Sequence, residues 1–209
     1  MLVSVAAVSA AQAEDLVIAA LGDSLTQGYG LPEEDGFVPQ LQAWLREKGY
    51  EVTVINAGVS GDTTAGGLSR IEWTLTPEVD AVIVALGGND LLRGIDPEAS
   101  RANLDGILTV VDGRGLPAML IGMRAPGNYG PDWKAAFDAM YPELAAKYEA
   151  IHVESFMAGL GDSATPDAED IEALRSLMQD DGIHPNAEGV SRIVATLGPE
   201  VERLIARAE

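Results

Sequence analysis

Cysteine is absent from all 209 residues, so no disulfide can brace the fold. Basic side chains are few: 13 Lys and Arg stand against 33 Asp and Glu, a net charge of −20. A surface of that sign repels nucleic acid and anionic lipid headgroups, and it favours solubility. Long hydrophobic runs are missing too. The apolar stretch Leu2–Ala10 falls short of the ~20 residues a bilayer span requires, and no other segment is long enough. Histidine occurs only at His152 and His184, so candidates for a base at neutral pH are scarce. Neither an internal repeat nor a linker divides the chain. Residues 1–13 carry no charge and end in Ala11-Gln12-Ala13, a small-x-small cleavage signature, although the usual positive start is missing. We expect a signal peptide cleaved after Ala13 and a single domain over residues 14–209.

What the sequence does hold is concentrated at turns that follow apolar runs. Leu16–Ala20 leads into Leu21-Gly22-Asp23-Ser24-Leu25-Thr26-Gln27-Gly28. A strand that ends in a Gly-flanked turn and then starts a helix puts Ser24 at the carboxyl edge of a sheet, where open α/β sheets bind ligands. Helix N-termini favour a developing anion, but serine is equally a preferred N-cap. This segment alone leaves cap and nucleophile evenly matched. The second segment is Gln179-Asp180-Asp181-Gly182-Ile183-His184-Pro185-Asn186. Pro185 disfavours helix at His184 and Gly182 permits a tight turn, so one loop can fold Asp181 back on the imidazole. A nucleophilic serine needs a base to take its proton and a carboxylate to fix that base's tautomer, and this loop could supply both. Asp180 is the neighbouring rival for the orienting role.

Two further strand ends offer donors for an oxyanion. Asn56-Ala57-Gly58-Val59-Ser60-Gly61-Asp62-Thr63 follows Val52–Ile55, and Gly87-Gly88-Asn89-Asp90 follows Ala81–Leu86. The N–H groups of Ser24 and Gly61 with the side-chain amide of Asn89 would suit the tetrahedral intermediate of acyl transfer. Taken singly, Gly61 reads as a plain turn and Asn89 as an Asx-turn or a cap. Four such loops on one sheet edge read as a site. Asp23, Asp62 and Asp90 are read as braces of their loops.

Ser24 in GDSL, Gly61 in SGDT, Asn89 in GGND and His184 in DGIHP resemble, in order and spacing, the four sequence blocks of the SGNH (GDSL) hydrolases. The chain is most similar to their bacterial periplasmic multifunctional branch, which combines acyl-CoA thioesterase, arylesterase and lysophospholipase activities. The similarity runs from about Leu16 to the last helix and weakens between Val153 and Leu177. It implies a three-layer, flavodoxin-like α/β sandwich with a five-stranded parallel sheet in the order 2-1-3-4-5 and helices on both faces. It implies a triad of Ser24, Asp181 and His184 with an oxyanion hole of Ser24, Gly61 and Asn89. It also implies a substrate-binding loop of Arg124, Ala125, Pro126, Gly127, Asn128 and Tyr129 that contacts the acyl chain. Relatives usually carry Leu-Pro where this chain has Ala125-Pro126.

The expected activity is hydrolysis of carboxylic esters, extending to thioesters, by a periplasmic or secreted monomer without cofactor or metal. Its partner is a small ester or thioester, with no nucleic acid and no stable membrane anchor once the leader is removed. A carbohydrate O-acetylesterase, or an inactive binding module on the same scaffold, is the alternative. The negative surface weighs mildly against polyanionic coenzyme A thioesters.

Alternating apolar runs and amphipathic stretches predict the sheet independently. Strands are expected at Leu16–Leu21, Val52–Asn56, Ala81–Leu86, Ala118–Met123 and Ile151–Val153. Helices are expected at Gly36–Lys48, Ala65–Thr76, Pro97–Val111, Pro131–Tyr148 and about Asn186–Ala208. Phe37, Trp44 and Trp73 read as core faces of helices, and His152 as a structural strand residue. Met119, Met123, Met140, Met157 and Met178 read as packing, with Met157 and Met178 also suited to an acyl pocket. The acidic segment Asp162–Glu172 reads as solvated surface, since it lacks the alternation of a calcium loop.

Overall fold

A computed structural model describes residues 15–161 and 168–209; the expected leader and residues 162–167 of the acidic segment lie outside the described residues. The strands are β1 (Leu16–Gly22), β2 (Val52–Gly58), β3 (Ala81–Ala85), β4 (Ala118–Ile121) and β5 (Ile151–Val153). They form one parallel sheet in the order β2-β1-β3-β4-β5. The helices are α1 (Ser24–Gln27), α2 (Phe37–Glu47), α3 (Thr64–Thr74), α4 (Gly88–Arg93), α5 (Pro97–Gly113), α6 (Pro131–Lys147), α7 (Ala168–Ser176) and α8 (Ala187–Ala208). The chain is thus an α/β sandwich with the expected strand order.

The alternation of strand side chains divides the core in two. Ile18 and Ala20 of β1 face a cluster with Phe37, Leu41 and Leu45 of α2 and Ile193, Leu197 and Leu204 of α8. Ala19 and Leu21 face the opposite cluster, with Ile71 of α3, Leu104 and Ile107 of α5 and Phe137 of α6. Each large apolar side chain sealed in these layers contributes about 1.5–3 kcal/mol. The central β3 is buried on both faces along its whole length, as a covered parallel strand must be.

Three expectations need correction. Trp73 is 86% exposed. It stands two residues from Ile71, which a helix turns to the opposite face, so Ile71 and Leu75 take the core and Trp73 meets solvent. β4 ends at Ile121 rather than Met123, because β5 pairs with only Met119, Leu120 and Ile121. The helix expected to start at Ser24 is the single turn α1, and the short α4 stands inside the Gly87–Gly94 segment where no helix was expected. Met178 pairs with Pro185 across an isolated bridge and packs on the core instead of lining a substrate cavity.

The register sets the functional edge. Gly22 lies level with Gly58 of β2 and with Ala85 of β3, so the chain leaves all three strands at one height. The turns carrying Ser24, Gly61 and Asn89 therefore start side by side.

Candidate active site

The Ser24 turn is built by Asp23. Its Oδ1 accepts the Leu25 N–H at 3.0 Å and caps α1, so Ser24 is the first residue of the helix and not its cap. That frees the Ser24 hydroxyl, whose Oγ lies 2.8 Å from His184 Nε2. On the far side of the ring, Nδ1 is 2.7 Å from Asp181 Oδ2. Asp181 Oδ1 accepts the backbone N–H groups of Ile183 at 2.9 Å and His184 at 3.0 Å. The His184 N–H, its ring and the Ile183 N–H together hold the Asp181 carboxyl down at about 2. A carboxylate there accepts the Nδ1 proton and leaves Nε2 free to accept from Ser24. Asp180 is exposed; the carboxylate on the ring belongs to Asp181.

The side expected to hold an oxyanion is a turn gripped by a helix. The Val59 carbonyl accepts the Asp62 N–H at 3.0 Å, and Gly61 takes φ +81°. A Cβ at Gly61 would find only ordinary contact with Arg93, so backbone strain, not obstruction, makes glycine the residue for this place. Asn89 and Arg93, one turn apart on α4, both donate into this turn. Asn89 Nδ2 reaches the Asp62 carbonyl at 2.9 Å and Asp23 Oδ2 at 3.3 Å, while Arg93 Nη2 reaches the Gly61 carbonyl at 2.8 Å. Among the described residues, no acceptor takes the N–H of Ser24 or of Gly61.

Beneath these loops lie the braces. Asp90, fully buried, accepts the Thr64 N–H at 2.9 Å, the Thr64 hydroxyl at 2.6 Å and the Ser100 hydroxyl at 2.8 Å. It ties α4 to α3 and α5. Asp62 pairs with Arg70 at 2.7 Å. The same guanidinium donates to the Ala57 carbonyl at 2.7 Å and the Gly22 carbonyl at 2.8 Å, joining the ends of β1 and β2 to the oxyanion turn. Asp23 is only 3% exposed, and burial raises its carboxyl to about 6 against the Leu25 and Asn89 hydrogen bonds.

Gln179 holds the two halves together. Its Nε2 donates at 2.9 Å to the Tyr29 carbonyl, in the serine segment, and at 2.9 Å to the Pro185 carbonyl, next to His184. Both amide protons are used. Gly30, at φ +77°, has no room for a side chain because the Gln179 oxygen sits there. Tyr29 also lays its ring 4.7 Å from that of His184.

Ser24, Gly61, Asn89 and His184 line one cavity of about 290 Å³, whose other wall is apolar: Leu91, Leu92, Met123, Met157 and Ile183. The expected substrate loop does not line it. Arg124 pairs with Glu154, and Ala125 is buried with its N–H on Asp138. Lys134 and Asp138 draw the loop backbone onto α6 and away from the cavity. Gly127–Tyr129 form a short 3-10 turn with Pro126 as its cap residue, and this turn includes Asn128. Tyr129 packs by Gly94 and donates to the Leu92 carbonyl at 3.5 Å. His152 is a β5 residue that does not line this cavity, and burial lowers its pKa. Among the described residues no cluster of three His, Asp or Glu is placed to hold a metal ion.

Sequence reasoning missed Arg70, Arg93 and Gln179. Arg70 reads as an ordinary polar position of a helix and Arg93 as one of a loop. Gln179 stood inside a quoted motif, but its two backbone partners lie 150 and 6 residues away, which only the fold reveals.

Residues 20–192 match the model of the GDSL-like lipase/acylhydrolase family. The esterase TesA of Pseudomonas aeruginosa is 35% identical over 195 residues, covering 93% of this chain and 92% of TesA. The thioesterase 1/protease 1/lysophospholipase L1 of Escherichia coli K12 is 35% identical over 94% of this chain and 87% of its own length. The crystal structure of AlinE4, an SGNH-hydrolase family esterase, matches with TM-score 0.73 and 42% identity over 92% of this chain and 97% of that one.

Proposed function

The chain belongs to the GDSL-like lipase/acylhydrolase family and is an ester hydrolase, and from that premise we propose its catalytic route and its substrates. Ser24 Oγ attacks the ester carbonyl carbon while His184 Nε2 takes the hydroxyl proton. Asp181 keeps the imidazole in the productive tautomer and stabilises the imidazolium. The carbonyl oxygen becomes an oxyanion held by the N–H groups of Ser24 and Gly61 and by Asn89 Nδ2. Of the two Asn89 bonds, the 3.3 Å one to Asp23 is the weaker, so it yields to the oxyanion. The intermediate collapses, His184 passes its proton to the leaving alcohol, and an acyl-enzyme remains on Ser24. Water, deprotonated by the same histidine, attacks the acyl carbon and regenerates the serine.

The observation that carries this reading is the unbroken contact from Asp181 through His184 to Ser24, at 2.7 and 2.8 Å, beside two unpaired backbone N–H groups. The apolar wall of the cavity favours an aliphatic acyl group over a sugar acetate, so aryl and alkyl esters of fatty acids are the proposed substrates. Relatives named arylesterase and thioesterase/lysophospholipase extend the proposal to thioesters and lysophospholipids. We place the enzyme outside the cytoplasm on the strength of the apolar stretch Leu2–Ala10 and the small-x-small signature Ala11-Gln12-Ala13 that follows it.

Ser24→Ala tests the route. It should fold as the wild type does and lose roughly 10⁴-fold or more in kcat on 4-nitrophenyl butyrate, as triad members act as a unit. A fluorophosphonate should label Ser24 alone. Near wild-type turnover in folded Ser24→Ala, or an adduct elsewhere, overturns the assignment.

A further inference from the structure

Three cavities meet at one side chain. Met123, where the chain leaves β4, lines the catalytic cavity and also two neighbours of about 340 and 270 Å³. Met157 lines the catalytic cavity and the 270 Å³ chamber. The wall between those two spaces is therefore built of two methionines. Neither residue is locked in a core: both are partly buried, and Met123 touches the apolar clusters on both faces of the sheet. Methionine is unbranched, with three rotatable bonds and a polarizable sulfur, so it moves aside and repacks at little strain.

The chamber behind the wall has two characters. Met123, Met157 and Ala158 give it an apolar side, and Arg124, Glu154 and Ser155 line the other. Arg124 and Glu154 form a two-pronged pair, Nε to Oε1 at 3.1 Å and Nη2 to Oε2 at 2.8 Å, with both side chains more than half exposed. The far end is thus a polar rim facing solvent. At about 290 Å³, the catalytic cavity stands at the small end of ligand pockets, which span about 300–1,000 Å³. Opening the wall nearly doubles the space in line with Ser24.

We propose that Met123 and Met157 form a movable partition that sets acyl-chain length. Short chains end against it, and long-chain fatty acyl esters displace it and run into the chamber rimmed by Arg124 and Glu154. This rests on the reading of Ser24 as the acyl acceptor. Each methylene that passes the partition leaves water for an apolar wall, which favours longer chains once the passage opens.

The test is a chain-length profile of kcat/KM for 4-nitrophenyl esters from butyrate to palmitate, measured on the full chain. Met123→Ala removes half the partition and should raise the laurate-to-butyrate ratio by about tenfold or more, the scale of discrimination that methylene fit supplies. Met157→Ala should move the ratio the same way. Met123→Phe fills the passage with a rigid ring and should lower it by about tenfold. Thermal unfolding and the rate of fluorophosphonate labelling establish that each variant is folded. Should Met123→Ala fail to fold, Met157→Ala decides. Ratios within about twofold of wild type in the folded variants overturn the partition. A wild-type protein inert towards every ester, or an active Ser24→Ala, instead overturns the reading of Ser24 on which the partition rests.

Discussion

Asp23, next to Ser24 in the chain, and Asp181, on the far side of the His184 ring, live in opposite environments. Asp23 is 3% exposed, and burial pushes its carboxyl up to about 6. The Asp181 side chain is 37% exposed, and hydrogen bonds from His184 and Ile183 draw it down to about 2. The difference follows from what each half of the site must do. The serine and oxyanion half is a set of donors aimed in advance. Asp23, Asp90 and Arg70 fix it from within the protein, at the expense of burying charge. In the proposed route the histidine half carries the group that changes charge in every turnover, and its carboxylate stays ionised because solvent and three donors favour the charged form. Two carboxylates pushed apart in this way mark different duties: one holds a loop, the other supports a base.

Breaking the base half should have the largest effect. Asp181→Asn removes the acceptor that fixes the His184 tautomer and should lower kcat by up to about 10⁴-fold, whereas Asp180→Asn stays near wild type. Steady-state hydrolysis of 4-nitrophenyl butyrate checks both, and a severe loss in Asp180→Asn would reverse the roles. On the donor half, Asn89→Ala should lower kcat by ~10²–10³ with little change in KM. A raised KM with kcat spared would make Asn89 a ground-state binding group.

The seam between the halves is sharper still as a test. Gln179→Leu keeps the bulk of the side chain but loses both donors, freeing the Tyr29 and Pro185 carbonyls. Small misplacements of a base cost up to about 10²-fold, so kcat should fall by roughly tenfold while KM and the fluorophosphonate target stay the same. An unchanged kcat would mean that packing alone keeps His184 on Ser24.

The smallest effect is the pH dependence of stability, which should differ in sign between the two aspartates. Asp23 is raised in the fold, so burying its charge destabilises the protein fully above pH about 6, and that penalty disappears as pH falls towards 3.8. The stability of wild type relative to Asp23→Asn should therefore rise as pH drops through this window, by an amount on the order of 3 kcal/mol at most. Asp181 is lowered, so its contribution is complete above about 4 and is lost as pH falls through about 2. Wild type relative to Asp181→Asn should lose advantage only in that acid range. Denaturant titrations at a series of pH values read both differences; a common sign would remove the contrast.

The sequence by itself determined the layers and the segments that meet at the Ser24 turn. Near-continuous apolar runs at Leu16–Leu21, Val52–Asn56 and Ala81–Leu86, alternating with helices, read as a covered parallel sheet, and turn chemistry at their ends is local. The Asp181–Gly182–Ile183–His184 loop likewise closes through bonds within a few residues, so its spacing was enough to read it. Only the tertiary structure decided what depends on partners far apart in the chain. It made Asp23 rather than Ser24 the helix cap. It turned Trp73 outward and drew Ala125 into the core beside α6. It also gave Arg70 three acceptors and Gln179 two, on segments that the sequence separates by up to 150 residues. A single arginine or glutamine codon carries no mark of such bonds, because their donors are common to every exposed copy of the residue. They arise only when the fold brings those carbonyls within reach of the donor.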